Sequence, residues 1–574
     1  MAYDLKITGG TIVDGSGAPG YRGDVGIRDG RIVALGDAPD AATRSIDAGG
    51  LTVAPGFVDI HTHYDAQVFW DPMLTISPWH GVTSVVMGSC GFGIAPTRPK
   101  DRGLILRTLE RVEAMPLTAL EAALGDDWPF ESFPEYLGAL EQRGTAINVG
   151  VMIGHTPTRL YVMGEAAVER AATEDEIRQM QDIVRDGMKA GAIAFATSVS
   201  PIHIGFDGKP IPSRLAGIDE LRALARAVGD VGRGVIHYNG AREPLFDQYL
   251  AMHEESGRPV CWTALLAGQL GPGRHRESLQ RTRDLLAAGK PIYPQVACRP
   301  IVSEFDFRSP VVFDTWSLFR PVRLAKGEAE LLAIYRDPGF RRDFREEVAG
   351  RGGRDGDFSG GRDEGEMRRA SWRLTEISYC EPHPELVGRR VEEVAAERGL
   401  PPTDLILDLA VESNLRTRFR MPLVNFQEDE VQELLSDPNT VVGLGDGGAH
   451  LSQLCDACYA THLLGYWVRE KGAFSLEQGV HMLTGRTAEI FGIADRGLLK
   501  TGRPADVVVF DPATVGAGPL ERVYDLPAGA DRLISRPSGI HTVVVNGTVL
   551  PPPGEPMPAG TKLPGQVLRS AAAG

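Results

Sequence analysis

Between residues 54 and 490 the chain alternates short apolar runs with stretches of helical spacing. Val82–Met87, Ala146–Ile153, Ile193–Ala196, Val260–Leu266, Ile292–Val296 and Val441–Leu444 read as buried strands, and Gly234-Val235-Ile236 leads as another into His237. Glu174–Lys189 carries apolar residues at helical intervals (Ile177, Met180, Val184, Met188), with Thr173 and Glu176 placed for a capping box. Leu221–Val228 reads as a second helix. Parallel strands need long crossovers, normally helical, so this alternation predicts parallel βα units. The fold class is α/β, and the length suits a (β/α)8 TIM-like barrel with insertions. A doubly wound sheet shares the alternation and stands as the alternative.

The two chain ends have another texture. Residues 1–53 place short apolar runs between Gly and Asp turns, which predicts a small antiparallel sheet. Val507–Phe510 and Thr542–Val545 are similar strand–turn units. Residues 300–425 look irregular, and Arg341–Gly365, dense in charge and glycine, reads as a solvated loop.

Composition narrows the partners. A net charge of −16 argues against nucleic-acid binding. No run of 18 or more apolar residues predicts a membrane span, and the first residues lack a signal-peptide core, so a cytoplasmic location is expected. Six cysteines without framework spacing read as thiols or ligands. Cys455 and Cys458 form a Cys-x-x-Cys in apolar surroundings without a second pair nearby, and they read as packing residues.

The chemistry-bearing residues sit where the strands end. The apolar run Val53–Ile60 reads as one strand leading into His61-Thr62-His63. Strand side chains alternate, so the two imidazoles face the same side, about 6–7 Å apart along the chain. Cys90, His237 and Asp446 each follow another apolar run. In a barrel these ends converge on one face, so residues far apart in sequence can share one ion. His, Cys and Asp are all ordinary zinc ligands.

The string Ala54-Pro55-Gly56-Phe57-Val58-Asp59-Ile60-His61-Thr62-His63 resembles the first-strand signature of the amidohydrolase superfamily. Gly88-Ser89-Cys90-Gly91-Phe92-Gly93-Ile94-Ala95-Pro96 resembles the N-acyl-D-amino-acid deacylase (D-aminoacylase) branch, where a cysteine is the metal ligand. Gly154-His155-Thr156-Pro157-Thr158-Arg159 and Pro504-Ala505-Asp506-Val507 agree with it. The resemblance implies that residues 1–53 and 491–574 form one β-sandwich, with residues 54–490 as the catalytic barrel. It implies a zinc site of one or two ions held by His61, His63, Cys90, His237 and Asp446. It implies hydrolysis of a C–N amide bond by metal-activated water, with Asp446 as general base. His155 would stabilise the oxyanion or orient a ligand, and Arg159, His203, Trp262, Trp316 and His450 are candidate substrate contacts.

Three departures modify this reading. Where the family pattern has a late histidine, the alignment falls near Ala264, which favours one ion over two; Cys261 is the substitute ligand nearby. The lysine that follows in the family is replaced by apolar residues, and after Asp446 the chain reads Gly447-Gly448-Ala449-His450 in place of an arginine-bearing string. Both lost cations hold a substrate carboxylate in the family, so altered specificity is expected, or replacement by Arg159, Arg299 or Arg320. The expected partner is a small amide substrate, with no nucleic acid and no membrane; a homo-oligomer is left open. A cyclic amide hydrolase of hydantoinase or dihydroorotase type is the enzymatic alternative, and a non-catalytic binding homologue is the alternative of another class.

Overall fold

The computed structural model describes residues 2–125, 128–240, 243–313, 316–349 and 371–570. They fall into two compact units: Met1–Leu265 with Glu277–Arg299 and Gln432–Gly574, and Leu266–Arg276 with Pro300–Val431.

The first unit contains a parallel sheet whose eight strands follow one another in chain order: Phe57–Thr62, Val82–Met87, Asn148–Gly154, Ala194–Ser198, Val235–Asn239, Val260–Thr263, Ile292–Val296 and Val441–Val442. The ring closes beyond the last of these. Asp446 N–H donates to His61 O (2.9 Å) and His63 N–H to Gly447 O (2.7 Å), across a parallel bridge between Thr62 and Gly447. This is the (β/α)8 TIM-like barrel that the alternation predicts. Val58, Ile60, Val86, Met152, Ala194 and Val441 form its buried apolar cluster. The predicted helix over 174–189 spans Glu174–Ala190, with the Thr173–Glu176 capping box formed and Gly191 closing it in the left-handed region.

The apolar run after residue 52 is not one strand. It breaks at Gly56 into Thr52–Pro55, paired with Val507–Phe510, and the barrel strand Phe57–Thr62. A Cβ at Gly56 would lie 2.1 Å from Thr83 Oγ1, so only glycine lets the chain pass here. The strands of the two chain ends join in one eight-stranded sheet around Leu5, Ile7, Val25, Val53, Val507 and Val544. A separate ladder pairs Gly516–Val523 with Arg532–Ser538. Barrel and end sheet both belong to the first unit.

The second unit corrects the expectation of an irregular insertion. Ile301–Asp306 and Glu376–Tyr379 pair antiparallel with Arg418–Val424, accompanied by helices that include Glu328–Arg336, Val391–Arg398 and Pro402–Glu412. Phe305, Phe307, Phe313, Phe319, Phe344 and Phe419 belong to its core. Its order comes from these spaced aromatics, which pack across elements and give no continuous periodic signal. Arg341–Val348 belongs to the helix Pro338–Val348, whereas 350–365 of the expected loop lies outside the described residues.

Candidate metal centre

His61 and Cys90 come from the ends of the first two barrel strands, with His63 two residues beyond His61. Ligand atoms of these three buried residues lie within 4.8 Å of one another. Cys90 Sγ is 3.5 Å from His61 Nε2. The turn that presents Cys90 runs Gly88-Ser89-Cys90-Gly91, with Cys90 itself at φ 57°. A Cβ on Gly91 would meet Ala196 O at 2.8 Å, so this glycine admits the turn against the neighbouring strand. Asp446 arrives on the closing segment, with its Oδ1 3.2 Å from His61 Nε2 and 3.7 Å from His63 Nε2. It too holds a positive φ, 45°. Such backbone costs free energy and persists where surrounding contacts enforce it.

Two outer contacts orient the imidazoles. His61 Nδ1 lies 2.9 Å from Gln295 Oε1, and His63 Nδ1 lies 3.3 Å from Glu113 Oε1. Each contact directs the remaining Nε2 towards Asp446, the arrangement that fixes a ligating tautomer. Asn239 Nδ2 donates to Cys90 Sγ at 3.0 Å. None of Gln295, Glu113 and Asn239 was expected from sequence. Asn239 carried a signal, since it shares a strand face with His237 two residues earlier. Gln295 is a polar interruption of an apolar strand. Glu113 follows the helix Arg102–Val112, away from any strand end, and had no signal.

The electrostatics are those of a cation site. Burial opposes charge on His61, but Cys90 and Asp446 outweigh it and raise its pKa to about 9. His63 is also raised, Glu113 overcoming burial. Burial pushes the Cys90 thiol up, and His61 and His63 pull it down further. Asp446 is likewise drawn to about 2 by the imidazoles against burial. Clustered donors that favour charge this way suit a metal ion, which takes the place of the protons. His237 adds a second sign: its ring lies 5.2 Å from that of His61, and neither buried ring nitrogen has a hydrogen-bond partner. Imidazole, thiolate and carboxylate donors together fit a borderline-soft divalent ion.

Other expected contacts have other surroundings. His155 is buried, with Nδ1 2.8 Å from Thr197 Oγ1 and Nε2 2.8 Å from Glu220 Oε1. Arg159 Nη1 pairs with the same Glu220 at 2.5 Å. Both ring nitrogens of His155 and the Nη1 of Arg159 are thus engaged inside the protein. Trp262 stacks on Tyr249 at 5.4 Å, on the strand face opposite to Cys261, so it packs under a helix instead of lining a pocket. Trp316 packs against Phe313, Phe319 and Phe344 in the second unit's core. Cys261 lies against Gln295 Nε2 at 3.6 Å, outside the ligand cluster, and Ala264 follows that strand's end. His203 contacts Phe92, which flanks the Cys90 turn, and bonds Ser198 Oγ at 2.8 Å. His450 is partly exposed, with Nε2 3.9 Å from Glu113 Oε2.

A barrel with His, Cys and Asp side chains gathered where its strands end points to the class, and comparison with known proteins gives the same result. Residues 44–551 match the amidohydrolase family, and the chain belongs to it. A D-aminoacylase of Alcaligenes xylosoxydans xylosoxydans is 32% identical over 95% of this chain and 94% of its own. The N-acyl-D-glutamate deacylase of Bordetella bronchiseptica, solved with zinc and a phosphonate mimic of the tetrahedral intermediate, is 28% identical, with a TM-score of 0.64 over 99% of this chain and all of that one. A D-aminoacylase with a binuclear metal centre, activated by one metal and attenuated by the second, has the same identity, coverage and TM-score. The protein is thus a metal-dependent hydrolase of carbon–nitrogen bonds other than peptide bonds. No helix among the described residues is long and apolar enough to cross a membrane.

Proposed function

We propose that the protein deacylates an N-acyl-D-amino acid or a closely related N-acyl amine, using one zinc ion held by His61, His63, Cys90 and Asp446, with His237 beside them. The observation that carries this is the convergence of His61, His63 and Cys90 donors within 4.8 Å, with Asp446 Oδ1 3.2 Å from His61 Nε2. Ala264 near the expected late histidine supports one ion over two. When bound, zinc supplies Lewis acidity, polarising a carbonyl and acidifying water.

The chain's own groups do the rest. Asp446 takes the proton of the attacking water and returns it to the leaving nitrogen as the C–N bond breaks. The neighbouring imidazoles keep this carboxylate ionised against burial, so its oxygens are free of protons before the water binds. Gln295 and Glu113 hold His61 and His63 in register, and Asn239 fixes the Cys90 sulfur. His155, bonded on both nitrogens, positions the wall behind the site through Thr197 and Glu220.

The test is metal content with a substrate panel. Purified protein should hold close to one zinc per chain and release amine from N-acyl-D-amino acids faster than from their L-isomers, hydantoins or lactams. Activity confined to the cyclic amides would replace this reading with the hydantoinase-type one. A chain inactive and metal-free after zinc reconstitution would overturn both.

A further inference from the structure

Cys455 and Cys458 take no part in the chemistry above, and their spacing alone suggests packing. Their surroundings are charged. The buried Arg299 guanidinium places Nη1 2.7 Å from Cys455 O and 2.5 Å from Cys458 Sγ, with Nε 3.2 Å from Asp456 Oδ1. Cys458 Sγ also lies 3.3 Å from Cys455 O, one turn back in the chain. A guanidinium stays charged, and a buried charge calls for a counter-ion. Direct contact with sulfur favours thiolate at Cys458. Cys455 and Arg299 together lower the Cys458 pKa against burial, and the partner thiol is raised in turn. One sulfur is thereby poised as a nucleophile and its neighbour keeps its proton. Cys455 also lines a small cavity together with Asp446 and Gly447.

We propose that Cys455 and Cys458 are a peroxide-reactive dithiol, with Cys458 attacking and Cys455 resolving to an intramolecular disulfide. The Cys458 thiolate attacks one oxygen of hydrogen peroxide. An S–O bond forms, the O–O bond breaks, and the departing hydroxide takes a proton to become water. The sulfenic acid at Cys458 is then attacked by the Cys455 sulfur. The S–S bond forms as the S–O bond breaks, and the hydroxyl leaves as water with the Cys455 proton. Two thiols are oxidised and one peroxide is reduced to two waters.

The full-length, metal-loaded enzyme is treated with hydrogen peroxide, its remaining thiols are alkylated, and tryptic peptides are weighed. The peptide Met421–Arg469 contains Cys455 and Cys458 and none of the other four cysteines. It should lose both alkylation sites and weigh about 2 Da less than the reduced peptide, reversibly with dithiothreitol. In Cys455→Ser the same treatment should leave a dimedone-trappable sulfenic acid on Cys458. In Cys458→Ser oxidation of this peptide should slow at least tenfold. Two alkylated thiols surviving in wild type at a peroxide excess that oxidises other cysteines would overturn the proposal. So would Cys458→Ser reacting as fast as wild type.

Discussion

The His63 ring nitrogen Nδ1 faces the buried carboxylate of Glu113 at 3.3 Å, while Nε2 of the same ring faces Asp446. A helix end thus sets the tautomer of a residue that belongs to a barrel strand end. Glu113→Leu removes the acceptor and should weaken metal affinity about 10–100-fold, the usual cost of losing such a partner. Glu113→Gln, which keeps an oxygen acceptor, should lose less. Competition with a chelator measures both, and equal affinities for wild type and the leucine variant would remove Glu113 from the site.

Cys90 and Asp446 should fail differently. Cys90→Ala deletes a ligand and should lose metal. Asp446→Asn keeps a donor oxygen beside His61 but cannot accept a proton. It should retain metal and lose roughly 10²–10⁴-fold in turnover. Metal analysis and steady-state kinetics on the same samples separate the two, and wild-type turnover from the asparagine variant would end the general-base role.

Glu220 is shared by His155 and Arg159, and all three are buried. Glu220→Leu leaves the guanidinium inside without its counter-charge, which should cost about 3–5 kcal/mol of stability. Urea unfolding checks this. A change within 1 kcal/mol, roughly what a surface pair contributes, would show that Arg159 finds another partner.

His80 makes a pH prediction. Its nitrogens meet Thr461 Oγ1 at 2.7 Å and Ser535 O at 2.9 Å, and burial pulls its pKa to about 4. The unfolded chain binds this proton near pH 6.5, so the unfolded state holds more protons between about 4 and 6.5. The contribution is therefore complete above pH 6.5 and is lost as pH falls towards about 4, by on the order of 3 kcal/mol. Asp456, raised to about 7 by burial, works in the opposite sense, so the useful quantity is a difference. The stability gap between wild type and His80→Asn should shrink with acid over that range, and a constant gap would contradict the assignment.

The predicted strands Val82–Met87 and Ile292–Val296 match the barrel strands residue for residue, because each is short, largely buried and mostly apolar, with few polar residues inside it. His61, His63, Cys90, His237 and Asp446 could be picked out as candidates for a related reason: in a parallel barrel a polar residue just past such a run has one place to go. Trp262 and Trp316 were misleading because aromatic side chains serve cores and pockets alike, and only the strand face and the packing partners tell which.

The sequence alone determined the βα alternation and the candidate ligand set, since both follow from local periodicity and residue chemistry. Tertiary structure alone decided that Glu113 meets His63, that Glu220 joins His155 to Arg159, and that Arg299 lies against Cys458. Each of these joins residues tens to hundreds of positions apart. A charge finds its buried counter-charge through the geometry of chain closure, which no local pattern records.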